Sequence, residues 1–330
     1  MMEGQARAYT NIALIKYWGK KDQVLMIPQN NSISLTLDAF YSETRVTFDS
    51  HLTTDQFILN DVLQDEKHGK KVFQFLDLMR QHAGITTKAQ VISENHVPTA
   101  AGLASSASGM AALAGACAVA LDLPQDAVSL SRFARRGSGS ASRSIYGGFA
   151  EWQKGTDDTN SYAVSLKEDL SAWPLAMVFL LVDSQEKKIS SRDGMQRTVD
   201  TSVFYPGWLA TIEKDLTDMR QGIATNDFEL VGQTMERNTM KMHATVLGAV
   251  PPFTYWQPDS LKAMQLVQEQ RAQGLPCYFT MDAGPNVKVL LQQENLKAFL
   301  GAARKTFPED KIVVAFPGKG IQLVKEFNHD

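Results

Sequence analysis

The chain has 330 residues, of which 44% are hydrophobic and 21% are charged, and its formal net charge is −3 at pH 7. This length and composition predict a globular protein with enough chain for about two lobes. The charge argues against a nucleic-acid-binding protein, which would usually carry a strongly basic domain. The longest apolar stretches, residues 110–121 and 175–182, are shorter than the ~20 residues that a membrane span needs.

The cysteines and the N-terminal residues bear on the cellular compartment. Cys117 and Cys277 lie far apart in apolar surroundings and are interpreted as reduced core thiols rather than metal ligands. The first residues include Glu3, Gln5 and Arg7 and contain no apolar segment before a cleavage site. We therefore expect a cytoplasmic protein with no targeting signal and no membrane partner.

The first part of the chain is predicted to be rich in strands. Residues 32–37 alternate between polar and apolar side chains, and residues 43–48 are rich in β-branched and aromatic ones, a pattern typical of a half-buried hairpin. Residues 72–82 then predict a helix that ends near Gly84, and residues 90–93 predict a further short strand.

Helices and strands alternate in the rest of the chain. An alanine-dominated helix is predicted over 110–121 and a second helix over 125–135, and the apolar run 175–182 predicts a fully buried strand. Later elements are predicted in the order helices 208–223, 227–247 and 259–274, strands 277–281 and 287–291, helix 294–307 and strand 312–315. The pattern indicates an α+β fold of sheets backed by helices, with an N-terminal lobe at 1–185 and a C-terminal lobe at 186–330.

A run of small residues at 99–109, TAAGLASSASG, leads into the alanine-dominated helix. Small residues at such a junction leave backbone N–H groups accessible to phosphate, and the helix adds its positive N-terminal end. Ser105 and Ser106 add hydroxyl groups that can donate hydrogen bonds or assist a magnesium ion. No Gly-Lys-Ser/Thr ends the run, so it is not a Walker loop, and an ordinary helix cap explains the segment equally well on its own.

A second segment rich in glycine and serine, residues 135–143, has arginines at both ends. Glycine provides backbone freedom, serine donates hydroxyl hydrogen bonds, and guanidinium groups bind carboxylate or phosphate in planar pairs. A flexible linker has a similar composition, but linkers seldom carry arginines at both ends and lead directly into aromatic residues. The segment therefore predicts an anion site.

Two further segments have both a functional and a purely structural interpretation. Lys16, Tyr17 and Lys20 follow an apolar strand, and they would form either a ligand site at its end or a solvated basic turn. Asp282 lies between two apolar strands and would be either a rigidly held base or part of a simple Asx turn. Taken alone, each segment is better explained by the structural interpretation.

Four segments considered together resemble the signature segments of one family, the mevalonate diphosphate decarboxylases of the GHMP kinase superfamily. The segments are NIALIKYWGK (11–20), PTAAGLASSASG (98–109), RGSGSASR (136–143) and MDAGPNV (281–287), and they occur in the family's order. The chain has Gly-Leu-Ala-Ser-Ser where the superfamily's kinases usually have Gly-Leu-Gly-Ser-Ser, and it lacks their Gly-Glu-His near the N-terminus. These departures favour the decarboxylases over galactokinase or homoserine kinase.

The resemblance implies a GHMP kinase-type α+β fold with two lobes of mixed or antiparallel sheets backed by helices. The N-terminal lobe would be similar to the second domain of a ribosomal small-subunit protein, and the C-terminal lobe would be ferredoxin-like. The implied activity is the ATP-dependent decarboxylation of mevalonate 5-diphosphate to isopentenyl diphosphate, with ADP, phosphate and CO₂ as co-products. The implied cofactors are ATP and Mg²⁺, and the family is usually homodimeric.

The resemblance also implies roles for individual residues. Asp282 matches the catalytic aspartate, Lys16 lies close to the reacting groups, and Arg143 matches the arginine that holds the substrate's carboxylate and phosphate end. The other substrate-binding positions are Tyr17, Lys20, Ser138, Ser140 and Arg192. The positions implied to contact the nucleotide are Ser93, Gly102, Leu103, Ala104, Ser105, Ser106 and Ser191, with Ser105 also assigned to magnesium.

Four other functions are weighed against this interpretation. A mevalonate 3-kinase, or a decarboxylase acting on the monophosphate, would use the same scaffold. A non-catalytic metabolite sensor with a GHMP fold is also considered, although Asp282 together with Lys16 and Arg143 argues against it. A serine hydrolase is rejected because the chain has no Gly-x-Ser-x-Gly motif.

Overall fold

Two β-sheets and the helices that cover them form the part of the protein that the structure, a computed structural model, describes, namely residues 1–96, 106–182 and 189–324. The larger sheet has eight strands, and its neighbouring strands are antiparallel except for one parallel pair. These strands are β1 (Met2–Ile15), β4 (Ser32–Phe48), β5 (Gln56–Leu59), β6 (Val62–Leu63), β7 (Ala89–His96), β8 (Phe149–Trp152), β9 (Ala163–Lys167) and β14 (Gln322–Val324). A separate small hairpin pairs β2 (Lys20–Asp22) with β3 (Ile27–Pro28).

The second sheet has four antiparallel strands. Their order across the sheet is β11 (Cys277–Met281), β12 (Val287–Gln292), β10 (Leu175–Leu180) and β13 (Ile312–Ala315). All six residues of β10 are buried between its two neighbours and the covering helices, as its continuous apolar run predicts.

Most helices lie where the sequence predicts, although the first begins at Glu66 instead of residue 72, and the helix at Ser191–Thr201 was not predicted. The first helix is capped by the Asp65 side chain, which accepts a hydrogen bond from the His68 backbone N–H at 2.8 Å, and it ends at Gly84 with a φ of 67°. None of the helices within the described ranges is long and apolar enough to cross a membrane. They are α1 (Glu66–Ala83), α2 (Ser106–Ala120), α3 (Ala127–Gly137), α4 (Ser191–Thr201), α5 (Tyr205–Thr225), α6 (Phe228–Leu247), α7 (Pro258–Ala272) and α8 (Gln293–Ala303), with a 3₁₀ helix at Gly139–Ile145.

The predicted α+β architecture of mixed and antiparallel sheets backed by helices is confirmed, but the hairpin predicted within residues 32–48 is wrong. These residues form one strand, β4, that pairs along its length with β1 and in parts with β7 and β8. The physical reason is that residues 38–42 contain no glycine, proline or asparagine to form a tight turn, and Phe40 in their middle is buried.

The sheets do not divide the chain at a single position. Strand β10, which the predicted boundary places in the N-terminal lobe, pairs only with strands of the C-terminal half. Strand β14, close to the other end of the chain, pairs with β1. The lobe boundary near residue 185 stays a prediction.

Helix α2 lies directly against β1 and β4, and this packing fixes the start of the helix at one end of the larger sheet. Almost all of its residues are buried, as expected for a helix that is apolar on every side. A Cβ atom at Gly4 of β1 would lie 2.3 Å from the Ala116 carbonyl oxygen and 2.6 Å from the Ala120 nitrogen. The close approach of helix and strand therefore requires glycine at this position.

We expect Gly4→Ala to lower the free energy of unfolding by about 2 kcal/mol, because the added methyl group would force α2 away from β1. Urea denaturation followed by circular dichroism measures the change. Gly301→Ala in α8 is the matched control, because nothing lies within 4 Å of its added Cβ. Alanine there should leave the protein unchanged or more stable, and equal effects of the two substitutions would contradict this account.

Candidate active site

A cavity of about 310 Å³ is bounded by residues from both sheets and from the starts of two helices. Strand β1 contributes Lys16, the loop between β11 and β12 contributes Asp282, and the 3₁₀ helix contributes Arg143. Residues that were predicted as site residues and that lie far apart along the chain therefore meet at one cavity. The predicted site residues that line it are Lys16, Tyr17, Lys20, Ser106, Ser138, Ser140, Arg143, Ser191, Arg192 and Asp282.

The Asp282 carboxylate is held between two buried lysines. Its Oδ1 lies 2.8 Å from Lys16 Nζ, and its Oδ2 lies 3.0 Å from Lys288 Nζ. The lysine side chains are only 2% and 4% exposed, whereas the Asp282 side chain is 38% exposed. The carboxylate therefore has its open side towards the cavity and its paired side towards the protein.

The backbone around Lys16 explains how the end of β1 positions this side chain. Lys16 Nζ also donates to the Ala13 carbonyl at 2.8 Å, and the Lys16 backbone N–H donates to Asn238 Oδ1 on α6 at 2.9 Å. Asn30 Nδ2 donates to the Lys16 carbonyl at 2.8 Å. These contacts fix the backbone of Lys16 on both its N–H and its carbonyl side, so its ammonium group has little freedom to move away from Asp282.

Burial and charge pairing act in opposite directions on these groups. Burial raises the pKa of the Asp282 carboxyl, but the charges of Lys16 and Lys288 outweigh burial and hold that pKa well below its usual range. Burial lowers the pKa of Lys16 to about 8, although Asp282 partly offsets the effect. Asp282 is thus ionised at neutral pH, and Lys16 is a buried ammonium close to its titration range.

Arg143 is buried in the 3₁₀ helix, and the structure gives it neutral hydrogen-bond partners. Its Nε donates to Asn11 Oδ1 at 3.3 Å, and its Nη1 donates to the Ser32 hydroxyl. Asn11 in turn donates to the Ser140 carbonyl at 3.0 Å, which ties the 3₁₀ helix to β1. Burial lowers the pKa of Arg143 to about 10, so the guanidinium stays charged at neutral pH. A buried cation with neutral partners suits a carboxylate or phosphate ligand.

A second group of cations lies on another side of the cavity. Burial, together with the positive charges of Arg192 and Lys20, lowers the pKa of Lys71 on α1 to about 8. Burial and Arg192 also lower the pKa of Lys20. The buried Tyr17 hydroxyl has no hydrogen-bond partner within the described ranges, so its O–H can bind a ligand oxygen. Such a cluster is costly unless a polyanion binds it.

Two helices begin at the cavity. Ser106 is the first residue of α2 and Ser191 is the first residue of α4, and both line the cavity. The preceding Ser190 caps α4 by accepting a hydrogen bond from the Asp193 backbone N–H at 3.1 Å. The positive ends of both helices therefore add to the charges of the lysines and arginines.

Some predicted contacts are not among the cavity residues. Ser93 is buried in β7, where its hydroxyl lies 2.9 Å from the Thr44 hydroxyl, and it does not line the cavity. The physical reason is that its side chain is used in pairing β7 with β4. The phosphate-loop positions Gly102, Leu103, Ala104 and Ser105 lie outside the described residues, so their predicted roles stay predictions.

The donors around the cavity fit a magnesium ion that arrives with phosphates. Among the described residues that line it, Asp282 is the only acid, and both of its oxygens are paired with lysines. Mg²⁺ usually keeps several waters and binds substrate phosphates with few protein ligands, which suits a cavity of this kind. The Ser106 hydroxyl at the start of α2 is an available neutral ligand.

Lys71 and Lys288 were not among the predicted site residues. Lys71 follows Lys67 and Lys70 in a charged helix, so nothing in its sequence context distinguishes it. Lys288 did carry a signal, since it is the only charged residue in the apolar strand β12. A lysine in a buried strand requires a partner, and here the partner is Asp282.

A cavity of this charge and shape suits an enzyme that transfers phosphoryl groups between polyanionic molecules. Comparison with known proteins narrows that class. Residues 8–163 match the model of the diphosphomevalonate decarboxylase-like N-terminal domain, and residues 177–328 match that of the mevalonate 5-diphosphate decarboxylase C-terminal domain. The chain therefore belongs to the diphosphomevalonate decarboxylase family, which confirms the resemblance and the GHMP kinase fold.

Individual relatives are similar to the chain over nearly its whole length. The diphosphomevalonate decarboxylase of Candida albicans is 36% identical, over 93% of this chain and 89% of the relative. A solved mevalonate diphosphate decarboxylase from Enterococcus faecalis is 57% identical with a TM-score of 0.94, covering 98% of this chain and 99% of the other. A solved complex described as MDDEF with MVAPP, AMPPCP and magnesium is 58% identical with a TM-score of 0.95 and the same coverage.

Proposed function

We propose that the protein catalyses the ATP-dependent decarboxylation of mevalonate 5-diphosphate to isopentenyl diphosphate, releasing ADP, phosphate and CO₂. The observation that carries the proposal is the ionised Asp282 carboxylate, which faces a cation-lined cavity from between two buried lysines. Family membership and the complex with MVAPP, AMPPCP and magnesium described for a close relative support the same reaction.

The cavity has separate groups for each end of the substrate. Arg143, with the serine hydroxyls of the 3₁₀ helix region (Ser138 and Ser140), is suited to the carboxylate end of the substrate. Tyr17, Lys20 and Arg192 are suited to the diphosphate because their positive and hydroxyl donors have no acid among them. Binding at both ends would leave the C3 hydroxyl between them, next to Asp282.

The nucleotide would be held at the starts of α2 and α4. Ser106 and Ser191 supply hydroxyl and backbone donors, and Lys71 supplies a positive charge. A bound Mg²⁺ would neutralise part of the charge on the nucleotide phosphates and fix their geometry. ATP and substrate together bring about six negative charges, and the cations of the cavity offset the repulsion between them.

The position of Asp282 determines the first chemical step that we propose. A tertiary alcohol attacks phosphorus poorly, because it is crowded and has a very high pKa. The Asp282 carboxylate accepts a hydrogen bond from the C3 hydroxyl and takes its proton as the bond from oxygen to the γ-phosphorus forms and the bond from the γ-phosphorus to ADP breaks. Because the two lysines keep Asp282 weakly basic, this transfer occurs late, when the reacting oxygen has already become acidic.

The second step converts the phosphorylated substrate into the alkene. Phosphate is a far better leaving group than hydroxide, so the bond from C3 to oxygen breaks and positive charge develops at C3. Loss of CO₂ from the neighbouring carbon supplies the electron pair that forms the double bond. Asp282, whose pKa is held low by the two lysines, returns its proton to the departing phosphate. The restored carboxylate then lies beside the developing positive charge and stabilises it.

The pKa of Lys16 leads to a pH prediction. Burial lowers that pKa to about 8, so the ammonium is present below pH 8 and is lost as the pH rises through this value. We expect kcat/KM to fall above about pH 8, whereas kcat should fall only at higher pH, because bound polyanions favour the charged lysine. Steady-state kinetics between pH 6 and 10 tests this. A kcat/KM that stays level across that range would contradict the role of Lys16.

The product stoichiometry tests the function itself. Purified protein is incubated with ATP, Mg²⁺ and mevalonate 5-diphosphate, and ADP, phosphate and CO₂ are measured together. The proposal predicts equal amounts of all three products. ADP without CO₂ would indicate a 3-kinase. In a parallel reaction with the monophosphate, CO₂ from the monophosphate but not from the diphosphate would indicate the phosphomevalonate enzyme. No ADP from either acid would indicate a binding protein.

A homodimer in the cytoplasm is proposed as well. The dimer rests on the resemblance to the family, which is usually homodimeric, and light scattering of the purified protein tests it against a monomer. The cytoplasm is supported by the cysteines, because Cys117 and Cys277 are both buried as free thiols. Detection of the protein in fractionated cells of its source tests the location.

A further inference from the structure

Lys288 occupies an unusual position for a lysine. It lies in β12 directly opposite Thr280 of β11, and its side chain is 4% exposed in a strand whose other residues are apolar apart from the terminal Gln292. Its ammonium contacts Asp282 Oδ2 at 3.0 Å, the oxygen that Lys16 does not contact. Burying an ammonium is costly unless it is paired, and the contact with Asp282 offsets this cost for Lys288.

The two lysines together determine which way the carboxylate faces. A carboxylate has about four acceptor positions on its two oxygens. With one ammonium on each oxygen, the remaining positions of Asp282 lie on its exposed side, towards the cavity. A single lysine would leave the carboxylate free to rotate about its terminal bond, because that torsion is soft.

We propose that Lys288 is a positioning residue that holds the second oxygen of Asp282, so that the free acceptor positions of the carboxylate meet the substrate hydroxyl. The proposal rests on the proposed function. It predicts that loss of Lys288 lowers kcat far more than it weakens binding of either ATP or the substrate, since neither has to contact Lys288 for this role. A misplaced reacting group can cost about 100-fold in rate.

Lys288 also acts on Lys16 through space. The groups that face Lys16 are Asp282, Lys288 of β12, Arg143 of the 3₁₀ helix and His243 of α6. Lys288 and Arg143 both disfavour the charged form of Lys16, whereas Asp282 favours it. Removal of the Lys288 charge should therefore raise the pKa of Lys16 and move the fall of kcat/KM to higher pH. Lys288→Arg, which keeps the charge, should leave this limb in place.

The experiment compares Lys288→Met, Lys288→Gln and Lys288→Arg with the wild type. Methionine and glutamine remove the charge from a side chain of similar length, and arginine keeps it. For each variant, kcat, both KM values and the pH profile of kcat/KM are measured, and circular dichroism checks the fold. Lys214→Met is the matched control, because Lys214 pairs with Asp218 on the exposed surface of α5 and does not line the cavity.

The expected result is a kcat about 100-fold lower for Lys288→Met and Lys288→Gln, with both KM values within about threefold of wild type and the basic limb at higher pH. Lys288→Arg should recover at least a tenth of the wild-type kcat, and Lys214→Met should match the wild type. If methionine prevents folding, glutamine carries the test. The proposal is overturned if the wild type is active and a folded, uncharged variant has the wild-type kcat. It is also overturned if the basic limb of that variant lies at the wild-type pH. A wild type that releases no CO₂ overturns the proposed function instead.

Discussion

Replacing Asp282 with asparagine should lower kcat by about three powers of ten, because the group that accepts the hydroxyl proton is removed. ATP binding should stay unchanged or become slightly tighter, since a negative charge leaves a cavity that binds polyanions. Lys16 and Lys288 would lose their shared partner, so the basic limb of kcat/KM should also move to lower pH. Steady-state kinetics and calorimetric titration with a non-hydrolysable ATP analogue measure both effects.

Asp218→Asn provides the control for this substitution. Asp218 also pairs with two cations, Lys214 at 2.8 Å and Arg237 at 2.8 Å, but it does not line the cavity. Its replacement should leave kcat within about twofold of wild type, as for a surface substitution. A kcat for Asp282→Asn within tenfold of wild type, in a protein that is folded, would remove Asp282 from the mechanism.

Replacing Arg143 with glutamine should weaken substrate binding about 100-fold while changing the KM for ATP by no more than about threefold. The guanidinium is buried against Asn11 and Ser32, so a ligand anion that meets it is largely removed from water. Loss of one partner from such a buried charge pair costs about 3 kcal/mol, which corresponds to the 100-fold change. Equilibrium binding of mevalonate 5-diphosphate, followed by calorimetry, tests the prediction.

The matched control is Arg304→Gln. Arg304 pairs with Glu309 at 2.6 Å on the surface, where both side chains are more than half exposed. Exposed pairs of this kind contribute little, so substrate binding should not change. If Arg143→Gln weakened the binding of ATP as much as the binding of substrate, Arg143 would belong to the nucleotide side of the cavity, and our assignment would be wrong.

Local sequence patterns predicted most of the elements of the fold because the periodicity is strong. The buried strand β10 is one continuous apolar run, and α1 has a capping aspartate at one end and a glycine at the other. The long strand β4 was missed because two alternating segments resemble a hairpin when the residues between them are ignored. Its pairing with β1 is set by contacts between distant parts of the chain, which no local pattern contains.

The candidate site was predicted through resemblance rather than through the chemistry of single segments. On its own, the segment around Asp282 predicts an ordinary turn. The function of Asp282 depends on its contacts with Lys16, which is distant in sequence, and with Lys288, which lies in the next strand. Lys71 could not be found from sequence, because its partners in space, Lys20 and Arg192, come from other parts of the chain. Electrostatic environments are properties of the folded chain, so sequence alone does not show which lysines are free of acids.

The distribution of charge explains how a protein with a net charge of −3 can bind polyanions. Several acids elsewhere in the described chain are paired with cations, such as Asp158 with three arginines and Glu151 with Arg220. Among the described residues that line the cavity only Asp282 is acidic, and its charge is exceeded by those of Lys16 and Lys288. The local potential therefore has the opposite sign to the net charge.

The fate of the C3 oxygen tests the central claim most directly. Mevalonate 5-diphosphate labelled with ¹⁸O at the C3 hydroxyl is converted by the enzyme with ATP and Mg²⁺, and the products are analysed by mass spectrometry. If Asp282 directs phosphorylation of that hydroxyl before the bond to carbon breaks, all of the label appears in inorganic phosphate. Label in water, or label retained in an organic product, would contradict the account.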